Sequence, residues 1–155
     1  MTFTGLIRCA TPDDFPCLLD LWLRASRHGH PFLSAEQIDR QYQLVRDVYI
    51  PKAEMWVTEE EGRLTGFVAL LDHLVGGLFV DPHDHGRGIG RALIAHALTL
   101  RGHLLLGVYT RNEGAVAFYR RLGFAEVGRQ PHDDDGLPFE VMAMALIPPD
   151  GQGGG

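Results

Sequence analysis

The sequence predicts one α/β domain built on a mixed sheet with helices on both faces. β-rich runs alternate with amphipathic segments along the chain, and the last two β-rich runs follow each other as a closing hairpin, a pattern typical of layered α/β folds. At 155 residues the chain has the length of a single domain, and a domain of this size buries well over half of its unfolded surface. We therefore expect one domain over residues 1–148, followed by a disordered, glycine-rich tail over residues 149–155.

The first third of the chain predicts one strand and two helices. The run Leu6–Cys9 predicts the first strand, and a threonine followed by Pro12 is a typical helix start. Ser34 begins a capping-box pattern, which predicts a second helix that extends to about residue 48 and is ended by Pro51. The first helix has one apolar face, formed by Phe15, Leu18, Leu19 and Trp22.

The centre of the chain predicts a hairpin and a fourth strand that contains two glycines. Residues 54–58 and 64–71 are β-rich and are separated by a charged turn. Residues 74–81 form the fourth strand, in which Gly76 and Gly77 predict a β-bulge, because glycine weakens a strand unless a bulge or a close neighbour requires it. Such a bulge splays this strand from the next one and leaves backbone groups free for a ligand. The remaining elements are predicted as a helix over 88–100, a strand over 104–110, a helix over 112–122, and strands over 125–128 and 139–147.

Charge and cysteine content exclude several classes of protein. A formal charge of −6 and a pI near 5.7 argue against a nucleic-acid surface, which needs clustered Lys and Arg, and suit a cationic or amine-bearing substrate. No apolar run is long enough to span a bilayer, and no signal peptide is recognisable. Cys9 and Cys17 are too few for a disulfide framework. We expect a reduced, cytoplasmic setting with no nucleic-acid or membrane partner.

A strand-to-helix corner in the middle of the chain predicts a phosphate site. The fourth strand ends at Pro82, and Gly86, Gly88 and Gly90 lead into the following helix. The start of a helix presents unpaired N–H groups and the positive end of its dipole, and glycines let an anion approach the backbone closely. This corner is therefore suited to a phosphate or a diphosphate.

Two common phosphate motifs do not fit this corner. A dinucleotide fingerprint requires glycine where Arg91 or Leu93 stands, together with an acidic residue about 20 positions further on. A nucleoside-triphosphate loop requires Lys and a hydroxyl residue directly after Gly90, and neither is present. Nicotinamide, flavin and ATP chemistry are thus disfavoured.

Two ordered motifs resemble those of the GCN5-related N-acetyltransferases. Segment 78–93 is similar to the family's [Q/R]-x-x-G-x-[G/A] corner, with His85 in the position of the usual Gln or Arg. Segment 112–124 is similar to the family's N-x-x-A-x-x-F-Y-x-x-x-G-F helix. A less specific run at residues 30–34 is also seen in many small bacterial members.

The resemblance implies a fold, a coenzyme and a set of contacts. The fold is a mostly antiparallel sheet of about seven strands with four helices, in which the fourth and fifth strands splay to form a cleft for acetyl-CoA. Strand backbone is expected to pair with the pantetheine amides, the N–H near Val80 to polarise the thioester carbonyl, and the glycine corner to hold the diphosphate. Coenzyme contacts are expected from Leu78, Phe79, Val80, His85, Gly86, Arg87, Gly88, Ile89, Gly90, Arg91, Asn112, Ala115 and Phe118.

Three of these side chains have more than one interpretation. Arg87 and Arg91 either pair with phosphate or flank the turn as solvated charges, because the backbone supplies most of such a site. Asn112 is a favoured N-cap residue, and the family match also places it on the coenzyme. Both roles of Asn112 are compatible.

Tyr119 is the predicted catalytic residue. Attack of an amine on the thioester expels a thiolate, which a phenol can protonate, and the resemblance places this tyrosine beside the coenzyme sulfur. The alternative is a core aromatic, because Ala115, Phe118 and Leu122 share one helical face with Tyr119.

The sequence leaves the general base and the acceptor contacts open. A protonated amine must lose a proton before it attacks, and the candidate bases are Asp72, His73, His28 and His30. We expect His30, Phe32 and His73 to bind the acceptor, and the family implies that the loop carrying His30 borders the acceptor site.

Two acidic clusters have ordinary explanations as well as functional ones. The run that includes Asp81, His83 and His85 has potential metal ligands, but these residues lie on the connection whose backbone the phosphate site needs. We expect no metal there. Residues 133–135 are three aspartates that either attract a cationic acceptor or form a solvated turn, and the turn is favoured.

The sequence therefore predicts an acetyl-CoA-dependent N-acetyltransferase that acts by direct attack of a primary amine in a ternary complex. Neither cysteine lies in a nucleophile setting, which disfavours a covalent acetyl-enzyme. The alternatives are a non-catalytic acetyl-CoA-binding module of the same fold and, more weakly, a metal-dependent enzyme. The acceptor is a small amine, an antibiotic, an amino acid, or a protein lysine or N-terminus, and the protein is a monomer or a homodimer.

Overall fold

One seven-stranded sheet organises the chain. A computed structural model describes residues 3–149, and the tail predicted to be disordered lies almost wholly outside them. The strands are ordered β1-β2-β3-β4-β5-β7-β6, and every neighbouring pair is antiparallel except β4 and β5. The mixed, mostly antiparallel sheet is thus confirmed. The strands are β1 (Leu6–Cys9), β2 (Glu54–Glu60), β3 (Arg63–Leu71), β4 (Leu74–Val80), β5 (Leu104–Tyr109), β6 (Ala125–Gln130) and β7 (Val141–Leu146).

Four helical segments pack on the sheet, as expected. The first begins as a 3-10 turn at Pro12–Asp14 and continues as α1 (Phe15–Gly29). The third and fourth are α4 (Ile89–Arg101) and α5 (Glu113–Arg121).

The second helical segment is longer than predicted. It runs through α2 (Ala35–Leu44), a π-helical turn (Val45–Tyr49) and a last turn, α3 (Ile50–Lys52), which contains Pro51. A proline ring collides with the carbonyl four residues earlier in a regular α-helix, and the wider π turn in front of Pro51 relieves this contact. The helix therefore ends one residue after the proline instead of before it.

Two apolar cores lie on opposite faces of the sheet. Phe67 and Val68 are consecutive in β3 and so point to opposite faces. Val68 packs with residues of α4 and α5, including the fully buried Leu93. Phe67 packs with residues of α1 and α2, including the fully buried Leu18. The sheet is therefore covered by helices on both sides.

A gap lies between β4 and β5. In the register of β3 with β4, Ala69 faces Gly77 and Leu70 faces Val75, so Gly76 is an extra residue. The predicted bulge is confirmed. β4 and β5 pair at only two positions near their amino ends, Leu74 with Leu105 and Val75 with Leu106. Beyond the bulge the two strands separate and leave one edge of each open.

Candidate active site

A cleft of about 1000 Å³ opens where β4 and β5 separate. Its walls are the open strand edges, the glycine corner with the first residues of α4, the start of α5, and the loop after α1. All but one of the predicted coenzyme contacts line it, together with the predicted acid Tyr119: Leu78, Phe79, Val80, His85, Gly86, Gly88, Ile89, Gly90, Arg91, Asn112, Ala115 and Phe118. The exception is Arg87.

The edge of β4 offers backbone groups to the cleft. The Asp81 N–H donates to the Thr65 carbonyl of β3 at 2.9 Å, so this group points away from the cleft. Because successive residues of a strand present their backbone groups to opposite edges, the N–H groups of Val80 and Leu78 face the cleft. The His85 ring lies with Nε2 3.3 Å from the Val80 carbonyl. His85, which stands where the family usually has Gln or Arg, thus contacts the strand edge.

The glycine corner presents a set of amides without partners. Gly86 and Gly88 have φ values of +81° and +84°, which a side chain would strain, and Gly88 is the N-cap of α4. Within residues 3–149 the N–H groups of Gly86, Gly88, Ile89, Gly90 and Arg91 have no hydrogen-bond acceptor. The corner therefore combines free donors with the positive end of a 13-residue helix.

The two arginines of the corner have different surroundings. The Arg87 guanidinium donates to Glu60 at 2.7 Å and to Asp84 at 2.8 Å, and Arg87 does not line the cleft. Its prediction as a phosphate contact is therefore not supported, because two carboxylates already bind its charge. Arg91 does line the cleft, and it forms no ion pair with the described part of the chain.

Helix α5 brings Asn112 and Tyr119 to the cleft. Asn112 is the N-cap, and its Oδ1 accepts the Ala115 N–H at 3.1 Å. Tyr119 is only 8% exposed and its ring packs edge-on against Phe118 and Phe124. Burial raises the pKa of the Tyr119 phenol above its ordinary value, so the hydroxyl stays protonated at neutral pH. Tyr119 is thus both a core aromatic and a cleft residue, so its burial in the core is compatible with its predicted role as the acid.

Two of the four candidate bases line the cleft. His28 packs edge-on against His85 at 5.2 Å between ring centroids, and His30 packs against Tyr109 at 5.0 Å. Burial lowers the pKa of His30 to about 4, and its Nδ1 has no hydrogen-bond partner. His30 is therefore neutral at physiological pH. Phe32 packs on His30 and Tyr109 but lines neither of the two cavities beside the gap.

The other two candidates lie elsewhere. Asp72 and His73 form the turn between β3 and β4, at the closed end of the cleft, and His73 stacks on His103 at 3.9 Å. Neither Asp72 nor His73 lines a cavity beside the gap. The strand that follows His73 carries it to the far end from the glycine corner, so the structure does not bring it together with His30, and its acceptor contact stays a prediction.

The acidic cluster near the corner is held by arginines. Asp81 is paired with Arg24, and Asp84 with both Arg63 and Arg87. His83 contributes its backbone N–H to Asp81. No group of three or more His, Cys, Asp or Glu side chains arranged for a metal occurs in the part of the chain that the structure describes. These carboxylates have charged partners that a metal would need to displace.

A second cavity, of about 330 Å³, lies on the face of the sheet that α1 and α2 cover. It meets the cleft at the gap, since Val75, Gly76, Gly77, Phe79, Gly107 and Tyr109 line both. Aromatic and aliphatic side chains form most of its wall, and the three aspartates at 133–135 form part of it.

Tyr109 is a site residue that the sequence analysis missed. Its hydroxyl donates to Asp133 at 2.8 Å and accepts from Gln41 at 3.2 Å. Asp133 is 8% exposed and also accepts the N–H groups of Asp135 and Leu137, so the predicted solvated turn is wrong for this aspartate. Tyr109 is the last residue of β5, beside the gap, and that position is the only signal that could have identified it.

Fold and site together define a class of protein. A sheet split between β4 and β5, with free strand edges and a helix N-terminus at one end of the split, is arranged to bind a long thioester carrier through backbone groups. This is the arrangement of an acyltransferase that uses coenzyme A.

Comparisons with known proteins identify the family. The Acetyltransferase (GNAT) domain family matches residues 51–126. Peptidyl-lysine N-acetyltransferase YiaC of Escherichia coli is 37% identical over 143 residues, which cover 92% of this chain and 98% of YiaC. Peptidyl-lysine N-acetyltransferase YjaB of the same organism is 37% identical over 131 residues, which cover 84% of this chain and 88% of YjaB.

The solution structure of apo YjaB from Escherichia coli superimposes with a TM-score of 0.86 at 34% identity and covers 95% of this chain and all of YjaB. The chain belongs to the GNAT family of acetyl-CoA-dependent N-acetyltransferases. Among residues 3–149, no helix is both long and apolar enough to cross a membrane.

Proposed function

We propose that this enzyme transfers the acetyl group of acetyl-CoA directly to the side-chain amine of a protein lysine, with Tyr119 as the acid. The observation that carries the proposal is the meeting of two cavities at the gap between β4 and β5, one beside the free amides of the corner and one beside carboxylates. A ternary complex needs two such sites that touch where the reaction occurs.

The coenzyme occupies the larger cleft in this proposal. The diphosphate accepts hydrogen bonds from the amides of residues 86 and 88–91, and Arg91 adds a charge. The pantetheine extends along the open edge of β4, as an added strand would. The Val80 N–H points into the cleft and donates to the thioester oxygen, on which negative charge develops.

The chemical step transfers one acetyl group from sulfur to nitrogen, and one proton is passed to the departing sulfur. The neutral amine attacks the thioester carbon, a C–N bond forms and the C–S bond breaks. The departing thiolate takes the phenolic proton of Tyr119, and the new amide nitrogen gives up its extra proton to water, from which Tyr119 is reprotonated. Neutral His30 borders the amine path and holds a proton poorly, so the lysine ammonium gives its proton to solvent before the neutral amine attacks.

The second cavity supports an amine with an aliphatic stem as the acceptor. Trp22, Phe79 and Tyr109 provide an apolar wall for methylene groups, and the aspartates at 133–135 provide negative charge for a cation. YiaC and YjaB are named peptidyl-lysine N-acetyltransferases, which favours lysine in a peptide over a free small amine. Both cysteines are free, which fits action in a reducing cytoplasm.

A thiol-release assay with a matched panel of acceptors tests the proposal. Acetyl-CoA is supplied with lysine peptides flanked by neutral, basic or acidic residues, with the same peptides carrying N-ε-methylated or pre-acetylated lysine, and with small amines. We expect release of coenzyme A with lysine peptides and mass addition of one acetyl group on the lysine. Turnover of small amines alone, or an acetylated enzyme found by mass spectrometry without acceptor, contradicts the proposal.

Removing the charges at the rim of the second cavity is expected to weaken acceptor binding. In the double variant Asp134→Asn and Asp135→Asn, KM for a basic lysine peptide should rise roughly fivefold while kcat stays near wild type, because partly exposed charges contribute about 0.2–1 kcal/mol each. Asp134 is exposed and Asp135 is half-buried, so the fold tolerates both changes.

Steady-state kinetics at low and high salt measure this effect, which salt should reduce. Glu126→Gln, which removes a charge from the distant Arg129 ion pair, is the control and should leave KM unchanged. An equal rise in KM for neutral and basic peptides would show that charge plays no part.

A further inference from the structure

Charged side chains pair around the glycine corner, and one of them, Asp84, also lines the cleft. We name them the corner network. Two of its carboxylates, Asp81 and Asp84, are nearly buried at the corner itself. Two arginines and one glutamate come from three other parts of the chain, which the sequence pattern did not connect. The members are Arg24 of α1, Glu60 of β2, Arg63 of β3, and Asp81, Asp84 and Arg87 of the corner.

Asp84 lies at the centre of the corner network. Its two carboxylate oxygens accept from Arg63 at 2.9 and 3.0 Å in a bidentate pair, and one of them also accepts from Arg87 at 2.8 Å. The residue is 4% exposed. Hydrogen bonds from Arg63, and to a smaller extent from Arg87, lower the pKa of the Asp84 carboxyl below its ordinary value. The carboxyl therefore stays ionised.

Asp81 fixes the start of the corner. It pairs with Arg24 of α1, and its other oxygen accepts the His83 N–H at 3.0 Å. Its own N–H donates to Thr65 of β3, and its carbonyl accepts the Asp84 N–H at 2.8 Å. The short 3-10 turn at Pro82–Asp84 is therefore held at both ends.

The corner needs such support because its backbone lies outside regular secondary structure and is rich in glycine. Residues 85–88 lie between the 3-10 turn and α4, and two of the four are glycines with left-handed φ. Glycine has the largest backbone freedom of any residue, so amides carried on it are not oriented by local sterics. Arg87 ties this segment to β2 through Glu60, and its carbonyl accepts the Phe3 N–H.

We infer that Asp84 is a positioning residue for coenzyme binding: through Arg63 and Arg87 it holds the glycine corner with its amides directed at the diphosphate. Asp84 does not act on the reacting atoms. Asp84 pairs with the two arginines and thereby fixes the positions of their side chains. The diphosphate is then bound mainly by oriented backbone N–H groups and not by Arg87. The inference rests on the proposed diphosphate position, and is independent of the acceptor and of the role of Tyr119.

The variant Asp84→Asn tests the inference by comparing two ligands that differ in the diphosphate. We expect the Kd of coenzyme A, measured by titration calorimetry, to rise roughly tenfold, the loss expected when one charge-assisted hydrogen bond is misdirected. The Kd of pantetheine, which lacks the nucleotide and the diphosphate, should change less than about twofold in an amide chemical-shift titration. Steady-state kinetics should show the same split, with KM for acetyl-CoA raised and kcat retained.

A charge-conserving variant keeps the test valid if Asp84→Asn folds poorly. Arg63→Lys retains the positive charge but cannot form the bidentate pair, so the Kd of coenzyme A should rise about threefold with pantetheine unaffected. The matched control is Asp14→Asn, which breaks a similar bidentate pair with Arg8 at 2.8 and 3.0 Å, outside the corner. It should leave both dissociation constants unchanged.

Each other outcome overturns the inference. Equal weakening of coenzyme A and pantetheine would mean that Asp84 supports the fold in general. A lower Kd for coenzyme A in Asp84→Asn would mean that the released arginines bind the diphosphate themselves. Unchanged binding of both ligands in both variants would mean that the corner needs no support. None of these results depends on turnover, so a failure of the proposed acetyl transfer remains distinguishable.

Discussion

Replacement of Tyr119 by phenylalanine is expected to lower kcat by about 100-fold, the lower end of the range for loss of a general acid. The change removes only the hydroxyl. The ring keeps its edge-on contacts with Phe118 and Phe124, at 5.2 and 5.4 Å between centroids, so the wall of the cleft keeps its shape. The Kd of acetyl-CoA should therefore stay within about twofold of wild type. Thiol-release kinetics and titration calorimetry measure the two quantities.

The pH profile provides a second check on the role of Tyr119. Because burial raises the pKa of the phenol above its ordinary value of 10.0, the hydroxyl remains a donor throughout the neutral and mildly alkaline range. The wild-type rate should therefore show no decline from phenol ionisation below pH 10. Tyr42→Phe is the control, since Tyr42 packs on Trp22 and lines neither cavity. Wild-type kcat in Tyr119→Phe would remove this residue from the chemistry and leave it a core aromatic.

The features that the sequence predicted correctly are those encoded by local backbone preferences. Gly76 in a β-rich run predicts a bulge, because glycine weakens a strand unless a bulge or a close neighbour requires it. In the register of β3 with β4, Gly76 is indeed the extra residue. The glycines at 86, 88 and 90 predict a turn that leads into a helix, and in the structure Gly86 and Gly88 have positive φ. The bulge predicted that the fourth strand splays from the next one, and the resemblance to the GNAT family implied that the coenzyme cleft lies there.

Sequence reasoning could not find side-chain partners that are distant in sequence. Arg87 is bound by Glu60, 27 residues earlier, so its assignment to phosphate could not be tested locally. His73 lies in the turn between β3 and β4, at the closed end of the cleft, where it stacks on His103, thirty residues later. From the sequence Asp133 is assigned to a solvated turn, but it accepts a hydrogen bond from the Tyr109 hydroxyl, 24 residues earlier. Local patterns specify where the backbone turns, but long-range pairing decides which charges remain available to a ligand.

Replacement of Gly88 by valine is expected to weaken acetyl-CoA binding by more than about 100-fold. Gly88 is the N-cap of α4 with φ of +84°, and a valine there is strained by roughly 1–2 kcal/mol. The valine side chain also enters open space in front of the amides, since nothing in the protein lies within 4 Å of an added Cβ. That space is where the diphosphate is proposed to bind. The loss of two charge-assisted hydrogen bonds, at about 1.5–3 kcal/mol each, accounts for an effect of this size.

A second glycine separates backbone strain from blocked binding. Gly102 ends α4, has φ of +86°, also has nothing within 4 Å of an added Cβ, and does not line the cleft. Gly102→Val should also lower the free energy of unfolding, because it too puts a valine at positive φ, but calorimetry should give a wild-type Kd for acetyl-CoA. If both variants bind acetyl-CoA equally, the amides of the corner do not hold the diphosphate. If Gly88→Val loses binding and Gly102→Val keeps it, the loss follows from the place of Gly88 in the corner, because both variants put a valine at positive φ.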